Sequence, residues 1–320
     1  MPLRAIATIF DIGRLSVTQT RSGGDIGSVT QMRLPGVWLG HCAFESPCVT
    51  SGELLVDFLL FCLPLESDGA LHVNGEALSD TSLFVHRGCE ICSRGRRRKT
   101  LVVGLSRACV FDALSGLTGV GPQDVQVPTG HLKLPPVAVK RLRSRLLAFL
   151  RLPDSYPGRF LDADTQALLA SQILNVMMDY LLCASQDGDV EDRVRRCPSH
   201  IVRAAEQHFE DAGGRPVSLA DLCRAANVSA STLTSAFHSV VGETPARYFK
   251  LRRMSQARAL LESGVFDRSP VKQAALSVGL TELGRFSVEY KKLFGCSPSD
   301  FQGQALPRPR SAAYAERPHA

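Results

Sequence analysis

Two stretches of this chain, "FHSVVGETPARYF" from Phe237 and "YKKLFGCSPSDF" from Tyr290, obey one grammar. Gly242, Pro245 and Tyr248 correspond to Gly295, Pro298 and Phe301, while Phe237 and Val241 correspond to Tyr290 and Phe294. Self-similarity of this kind means one supersecondary unit built twice. In each copy the glycine supplies a helix stop, the proline starts the next segment, and the aromatic packs the unit closed.

The flanking residues define the unit. Ser218 and Asp221 have capping-box spacing and start a short helix that ends at Asn227. Ser229 then caps "ASTLTSAFHSVVG", which Gly242 stops. In the second copy Ser269 is the expected cap, Pro270 the first helical residue, Gly279 the turn, and Thr281 the cap of "ELGRFSVEYKKLFG". Short helix, tight turn and second helix form a helix-turn-helix pattern. "PARYFKLRRMSQARALLES", from Pro245 to Ser263, lacks interior Gly or Pro and predicts a connecting helix roughly 25 Å long. Successive major-groove segments lie about 34 Å apart on one face of B-DNA, so two such units let one chain act as a pair of half-site readers.

Residues 199–301 resemble the DNA-binding domain of the AraC/XylS family of bacterial transcription regulators. The stretches that carry the likeness are "LADLCRAANVS", "LTSAF", "VGETPARYFKLRRMSQARALL", "QAALSVGL" and "RFSVEYKKLFGCSPSDF". "LGRFSVEYKKLFG" also resembles a subgroup with a β-rich N-terminal sensor, and "GALHVNGEALSDTSLFVHRG" is similar to that sensor. The resemblance implies a sequence-specific regulator of double-stranded DNA, usually an activator. It further implies a small-molecule or protein effector, RNA polymerase as a partner, and a homodimer through the N-terminal region.

Helical periodicity places Leu233, Ala236, Phe237 and Val240 on one face of the first recognition helix, with Ser231, Thr234, Ser235 and His238 opposite and Thr232 beside them. In the second, Phe286, Glu289, Tyr290 and Leu293 cluster, leaving Gly284, Ser287, Val288 and Lys291 opposite. These polar faces, with Arg285 and Lys292, are the candidate DNA contacts; the basic side chains suit phosphate. Family members often carry Arg in the first recognition helix, whereas none lies between Ser229 and Gly242, so the expectation is either degenerate reading through hydroxyls and a Val288 contact to thymine methyl, or help from Arg285, Lys291 and Lys292. Arg247, Lys250, Arg252, Arg253 and Arg258 of the connecting helix are read either as phosphate contacts or as a solvated face.

The rest of the chain predicts an α+β protein: a β-rich, cupin-like or sandwich N-terminal domain with flanking helices, followed by the all-α double helix-turn-helix domain. Residues 1–184 form the expected sensor and dimerisation domain, with strands over 1–106 and helices over 107–184. A linker over 185–198 and a disordered tail over 302–320 complete the expectation. "LLVDFLLF", "ALHVNGEAL", "TSLFVHRG" and "TLVVGLSR" read as strands, with Asn74-Gly75 a hairpin turn. The stripe Leu168, Leu169, Ile173, Val176, Met177, Tyr180 and Leu181 fits either core packing or contact with a second copy. "CSRGRRRKT", the densest basic run, reads as a solvated hairpin or an anion contact.

Other classes find little support. The net charge of +6 is compatible with a polyanionic partner without demanding one. No stretch reaches the roughly 20 apolar residues of a membrane span, and no export signal is visible, so the expected location is cytoplasmic. The lone CxxC, Cys89 to Cys92, has no second pair, and His41, His72 and His86 lack ligand-like neighbours; neither metal nor cofactor is expected. Phosphate-loop, HExxH and GxSxG patterns are lacking, so no catalytic residues are assigned. The alternatives are a helical adaptor docking a protein partner and an enzyme housed in the N-terminal domain.

Overall fold

The structure is a computed structural model that describes residues 6–10, 13–23, 26–88, 90–121, 123–155, 162–183, 185–186, 198–266 and 268–301. Most of the expected linker and all of the expected tail lie outside these residues.

Strands dominate up to Ser106 and pair into two antiparallel sheets. The six-stranded sheet runs β1 (Ile6–Phe10), β2 (Gly13–Gln19), β5 (Cys48–Leu54), β10 (Glu90–Gly95), β7 (Leu71–Val73) and β8 (Glu76–Leu78). The seven-stranded sheet runs β13 (Ser185–Gln186), β12 (Gly130–Lys133), β9 (Ser82–His86), β6 (Phe58–Ser67), β11 (Arg98–Ser106), β4 (Val37–Phe44) and β3 (Gly27–Leu34). Asn74 and Gly75 turn the β7–β8 hairpin with φ of 51° and 90°, the positive values a type I′ turn requires. "LLVDFLLF" departs from the expected single strand. β5 stops at Leu54 and the chain turns before Phe58, whose amide donates to Leu55 O at 3.2 Å. Within that turn Asp57 stays in water instead of being carried into the core.

Period-2 alternation sorts the strand residues into layers. Val17, Trp38, Phe44, Leu60, Leu71 and Ile91 fill the space between the sheets. Leu39, Phe61, Leu101 and Val103 point from the seven-stranded sheet to its other face, where α1 (Arg107–Thr118), α2 (Pro136–Ser155) and α3 (Ala163–Cys183) cover them. The α3 stripe supplies that cover: Ile173, Met177, Tyr180 and Leu181 are buried in this core, while Leu168 at the stripe's end stays 60% exposed.

The C-terminal helices are α4 (Pro198–Asp211), α5 (Leu219–Ala226), α6 (Ala230–Val240), α7 (Pro245–Ser263), α8 (Pro270–Ser277) and α9 (Leu283–Phe294), with a 3₁₀ turn over Pro298–Phe301. They form two small cores. Phe209, Leu222, Leu233, Phe237, Tyr248 and Phe249 close the first unit, and Met254, Ala274, Phe286, Tyr290 and Phe294 close the second. Val49 and Cys92, on the outer face of the six-stranded sheet, belong to the first of these cores, so the module is seated on the sheet. The layers therefore run helices, sheet, sheet, C-terminal helical module.

The repeat is visible in the backbone. Gly242 and Gly295 end the second helix of each unit with φ of 80° and 77°. The first unit is capped as expected: Asp221 N donates to Ser218 Oγ at 3.2 Å, Ser218 N donates back to Asp221 Oδ2 at 3.0 Å, and Thr232 N donates to Ser229 Oγ at 3.2 Å. The second unit differs. Ser269 makes no side-chain capping bond, and Glu282 rather than Thr281 occupies the N-cap of α9, also without a capping bond. Pro270 offsets the missing cap at α8, because it has no N–H to satisfy and its φ is already helical.

Candidate nucleic-acid interface

The two second helices present their polar faces to solvent. Leu233, Phe237, Phe286 and Tyr290 are at most 2% exposed and anchor α6 and α9 from below. Ser231, Thr232, Ser235 and His238 on α6, and Gly284, Arg285, Val288, Lys291 and Lys292 on α9, are exposed. Val288 is 70% exposed, so its methyl groups are accessible on the outer face of α9. Thr234 and Ser287 are half-buried and turn their hydroxyls back into the helix, to Ala230 O at 2.8 Å and Leu283 O at 3.2 Å. Ser231 and Thr232 share a hydroxyl cluster with Ser229, each at 2.9 Å. That leaves Ser235 and His238 as the α6 side chains outside these local bonds.

Charge is distributed unevenly over the expected phosphate contacts. Arg285 is held by Glu289 at 3.0 Å and Glu282 at 3.6 Å, which pulls it across its own helix and holds its guanidinium above the usual range. Lys291 and Lys292 have no ion-pair partner among the described residues and lie in the last turn of α9, where the helix dipole also favours cations. On α7, Arg247 and Lys250 are exposed but paired with Glu243 at 2.9 Å and Glu289 at 2.6 Å. The other three α7 cations do not form a solvated face. Arg258 turns inward to Glu262 at 2.8 Å and over the Phe294 ring at 4.9 Å.

Arg253 joins the two units. Its Nη1 donates to Gly279 O at 3.0 Å in the second unit's turn, and its Nη2 donates to Arg215 O at 2.9 Å in the loop after α4. Gly214 and Gly279 meet beneath it so closely that a Cβ on Gly279 would lie 2.1 Å from Gly214 O. The Phe209 ring supports the guanidinium at 5.2 Å. Turn, loop and connecting helix are thereby pinned at one point.

Arg252, one residue earlier, points the opposite way and is buried against the sheet. Its Nη1 donates to Glu206 Oε1 at 3.1 Å, to Tyr248 OH at 3.0 Å and to Ser51 Oγ at 3.1 Å, while Nη2 pairs with Glu210. Ser51 Oγ also donates to Glu206 Oε1 at 2.7 Å, and Tyr248 OH donates to the same oxygen. Burial raises the Tyr248 phenol, and Glu206 beside it raises it further, so it stays a donor. Burial alone depresses the Arg252 guanidinium, but Tyr248, Glu206 and Glu210 outweigh that and the net shift is upward. Ser51 is the sheet's contribution to this knot. Further contacts fasten the seat: Arg203 with Glu53, His200 Nδ1 with Glu90 at 2.7 Å, Arg21 with Glu243 at 2.5 Å, and Gln19 Nε2 with Leu293 O at 3.0 Å. Sequence reading missed the knot, and the only available signal was a glutamate, Glu206, at a heptad-like position facing an apolar stripe.

Comparison with known proteins agrees with this geometry. A family model for a helix-turn-helix domain matches residues 222–304. The probable thc operon regulatory protein of Rhodococcus erythropolis is 36% identical over 100 residues, 31% of this chain and 30% of that protein. The XylDLEGF operon transcriptional activator 2 of Pseudomonas putida is 29% identical over 133 residues, 42% of this chain and 79% of that protein. The C-terminal helical region is similar to that of AraC/XylS-type regulators. A crystal structure of a probable AraC family transcriptional regulator from Rhodopseudomonas palustris, 32% identical, covers 34% of this chain and 100% of its own, with a TM-score of 0.30. The match spans less than a third of the Rhodococcus protein's length. Among the described residues no helix is long and apolar enough to cross a membrane, and no group of His, Cys, Asp or Glu is arranged to hold a metal.

Proposed function

We propose that the chain is a sequence-specific, effector-responsive activator of transcription, in which α6 and α9 enter adjacent major grooves and act from the cytoplasm with RNA polymerase as partner. The observation that carries this reading is the pairing of two anchored helices with exposed polar faces, one on each side of a connecting helix of 19 residues. Ser235, His238 and Val288 are the proposed base-reading positions, with Ser231, Thr232, Gly284 and Arg285 at their edges and Lys291 and Lys292 on phosphate. Thr234 and Ser287 serve the helices themselves more than the groove. The Pseudomonas relatives named as activators favour activation as the sign of control. Effector response is favoured by the knot, because the sheet of the N-terminal region is bonded directly into the connecting helix. Leu168, exposed on α3, offers a seat for a homodimer contact.

Fluorescence anisotropy on the DNA upstream of the protein's own gene and on a scrambled duplex, at several salt concentrations, tests this reading. A preference of about 10³-fold or more for the native duplex is expected. Equal and steeply salt-dependent binding to both would instead mark a nonspecific polyanion binder.

A further inference from the structure

One member of the basic run 94–99 is not on the surface. Arg98 is 2% exposed and reaches from β11 across the space between the sheets. Its Nη1 donates to Cys48 O and Gly95 O, both at 3.2 Å, and lies 3.4 Å from Cys48 Sγ. Its Nη2 has only long contacts to neutral hydroxyls, Thr50 Oγ1 at 3.3 Å and Ser93 Oγ at 3.5 Å, and the Phe44 ring stacks on it at 4.0 Å. No carboxylate among the described residues pairs with it. Its neighbours in the run behave otherwise, Arg97 pairing with Glu45 at 2.9 Å and Lys99 with Glu66 at 2.8 Å. A guanidinium taken out of water without a counter-charge is costly, and in proteins buried charges are ordinarily paired.

Beside this cation lies a cavity of about 60 Å³ between the sheets. Its walls are otherwise apolar or weakly polar, including Leu60, Cys62, Leu71, Val102 and the Thr100 hydroxyl, with no acidic residue among them. One water needs roughly 10–15 Å³ on this measure, so the space admits several heavy atoms but neither a long chain nor fused rings.

The strand that holds Arg98 also holds the DNA-binding module. Along β5, Thr50 faces the cavity and its Oγ1 accepts from Arg98 Nη2, while the next residue, Ser51, faces outward into the knot with Arg252, Glu206 and Tyr248. β10 repeats the pattern, with Ser93 facing Arg98 and the outward Arg94 donating to Ser239 O at 3.4 Å at the end of α6. A group that displaces Thr50 and Ser93 from the guanidinium therefore acts on strands whose opposite faces grip the module.

From these contacts we propose that the cavity binds a compact carboxylate of a few heavy atoms on the Arg98 guanidinium, and that β5 relays its occupancy through Ser51 to the connecting helix. This inference rests on the effector-responsive reading and gives its ligand a chemical class. The carboxylate replaces two weak neutral contacts with charge-assisted bonds to Nη2, and the hydroxyls of Thr50, Ser93 and Thr100 are placed to donate to its other oxygen. The apolar walls take its short hydrocarbon part.

Isothermal titration of the full chain with sodium propionate and with propionamide, at ionic strength fixed with chloride, decides the matter. Saturable one-site binding of propionate, with none of the amide, is expected. Arg98→Gln should weaken propionate by about 10-fold or more. Val102→Phe, which keeps the guanidinium and fills the cavity, should abolish binding and decides the case if Arg98→Gln does not fold. Ser51→Ala should change propionate affinity by about 5-fold or more, as linkage between site and knot requires. Unsaturable propionate heat, equal binding of the amide, or undiminished binding by folded Arg98→Gln or Val102→Phe overturns the site; an unchanged affinity in Ser51→Ala overturns the relay. These titrations contain no DNA, so failure of DNA recognition would sink the regulator reading while leaving carboxylate binding to stand or fall by itself.

Discussion

Replacing Arg252 by Met removes the centre of the knot while keeping much of the side chain's apolar volume. The Arg252 and Glu206 side chains are 4% and 2% exposed, so solvent cannot take over the carboxylate's missing partner. Glu206 would retain donors from Ser51 and Tyr248, but both are neutral hydroxyls. Breaking a buried ion pair on one side typically costs 3–5 kcal/mol, about the middle of which is expected here because two hydrogen bonds to Glu206 survive. Urea unfolding followed by tryptophan fluorescence reports the loss conveniently, since the single Trp38 lies in the core between the sheets. The double variant Arg252→Met, Glu206→Met removes both charges and should recover most of the loss. A single-variant loss below about 1 kcal/mol, in the range of an exposed pair, would show that the knot is hydrated and would refute the burial on which the estimate rests.

Three further outcomes follow from individual sites. The Tyr290 hydroxyl is buried without a hydrogen-bond partner among the described residues, so Tyr290→Phe should leave stability unchanged or raise it by about 1 kcal/mol in thermal unfolding; a loss of that size would reveal a partner. Gly279→Asn tests the weld under Arg253. Asn227 occupies the equivalent turn at φ 51°, so Asn tolerates the backbone conformation, yet the Cβ would still strike Gly214 O, and a cost of about 1–3 kcal/mol is expected where Asn227→Gly is nearly silent. His86 is lowered to about 4, chiefly by burial and further by Arg107 and His200, against hydrogen bonds near Glu90 and Gly88 that raise it. The unfolded chain then takes up a proton near pH 6.5 that the folded chain refuses until about 4, so stability falls as pH drops through that window, by roughly 3 kcal/mol at most. His86→Gln should flatten this slope in urea titrations between pH 7 and 4.5, and an equal slope in both proteins would contradict the assignment.

What was legible in the sequence was what short-range chemistry decides. The Ser218–Asp221 capping box, the glycine stops at Gly242 and Gly295, the Asn74-Gly75 turn and the apolar faces of α6 and α9 each depend on residues within one or two turns of each other, and each is where it was read to be, whereas the expected cap Ser269 makes no capping bond and Thr281 yields its place to Glu282. The exposed faces of α6 and α9 were legible for the same reason, since helical periodicity alone separates buried Phe237 from exposed Ser235 and buried Tyr290 from exposed Val288. The basic residues were not, because a guanidinium's surroundings are set by contacts distant in sequence. Arg252 and Arg253 are adjacent on one helix, yet one meets Ser51 across 201 positions and the other meets Gly279 across 26. Likewise, nothing local distinguishes Arg98 from Lys99 as the buried cation; strand alternation places neighbours on opposite faces, and only the pairing of β11 between β4 and β6 decides which face is inside. The misreading of "LLVDFLLF" as one strand has the same origin, for its apolar density concealed a turn that Asp57 needs. The chain's architecture is therefore divided along a physical line: the two helix-turn-helix units proposed to read DNA are written locally and repeat, whereas the cavity, the knot and the strand between them exist only once the sheets have closed.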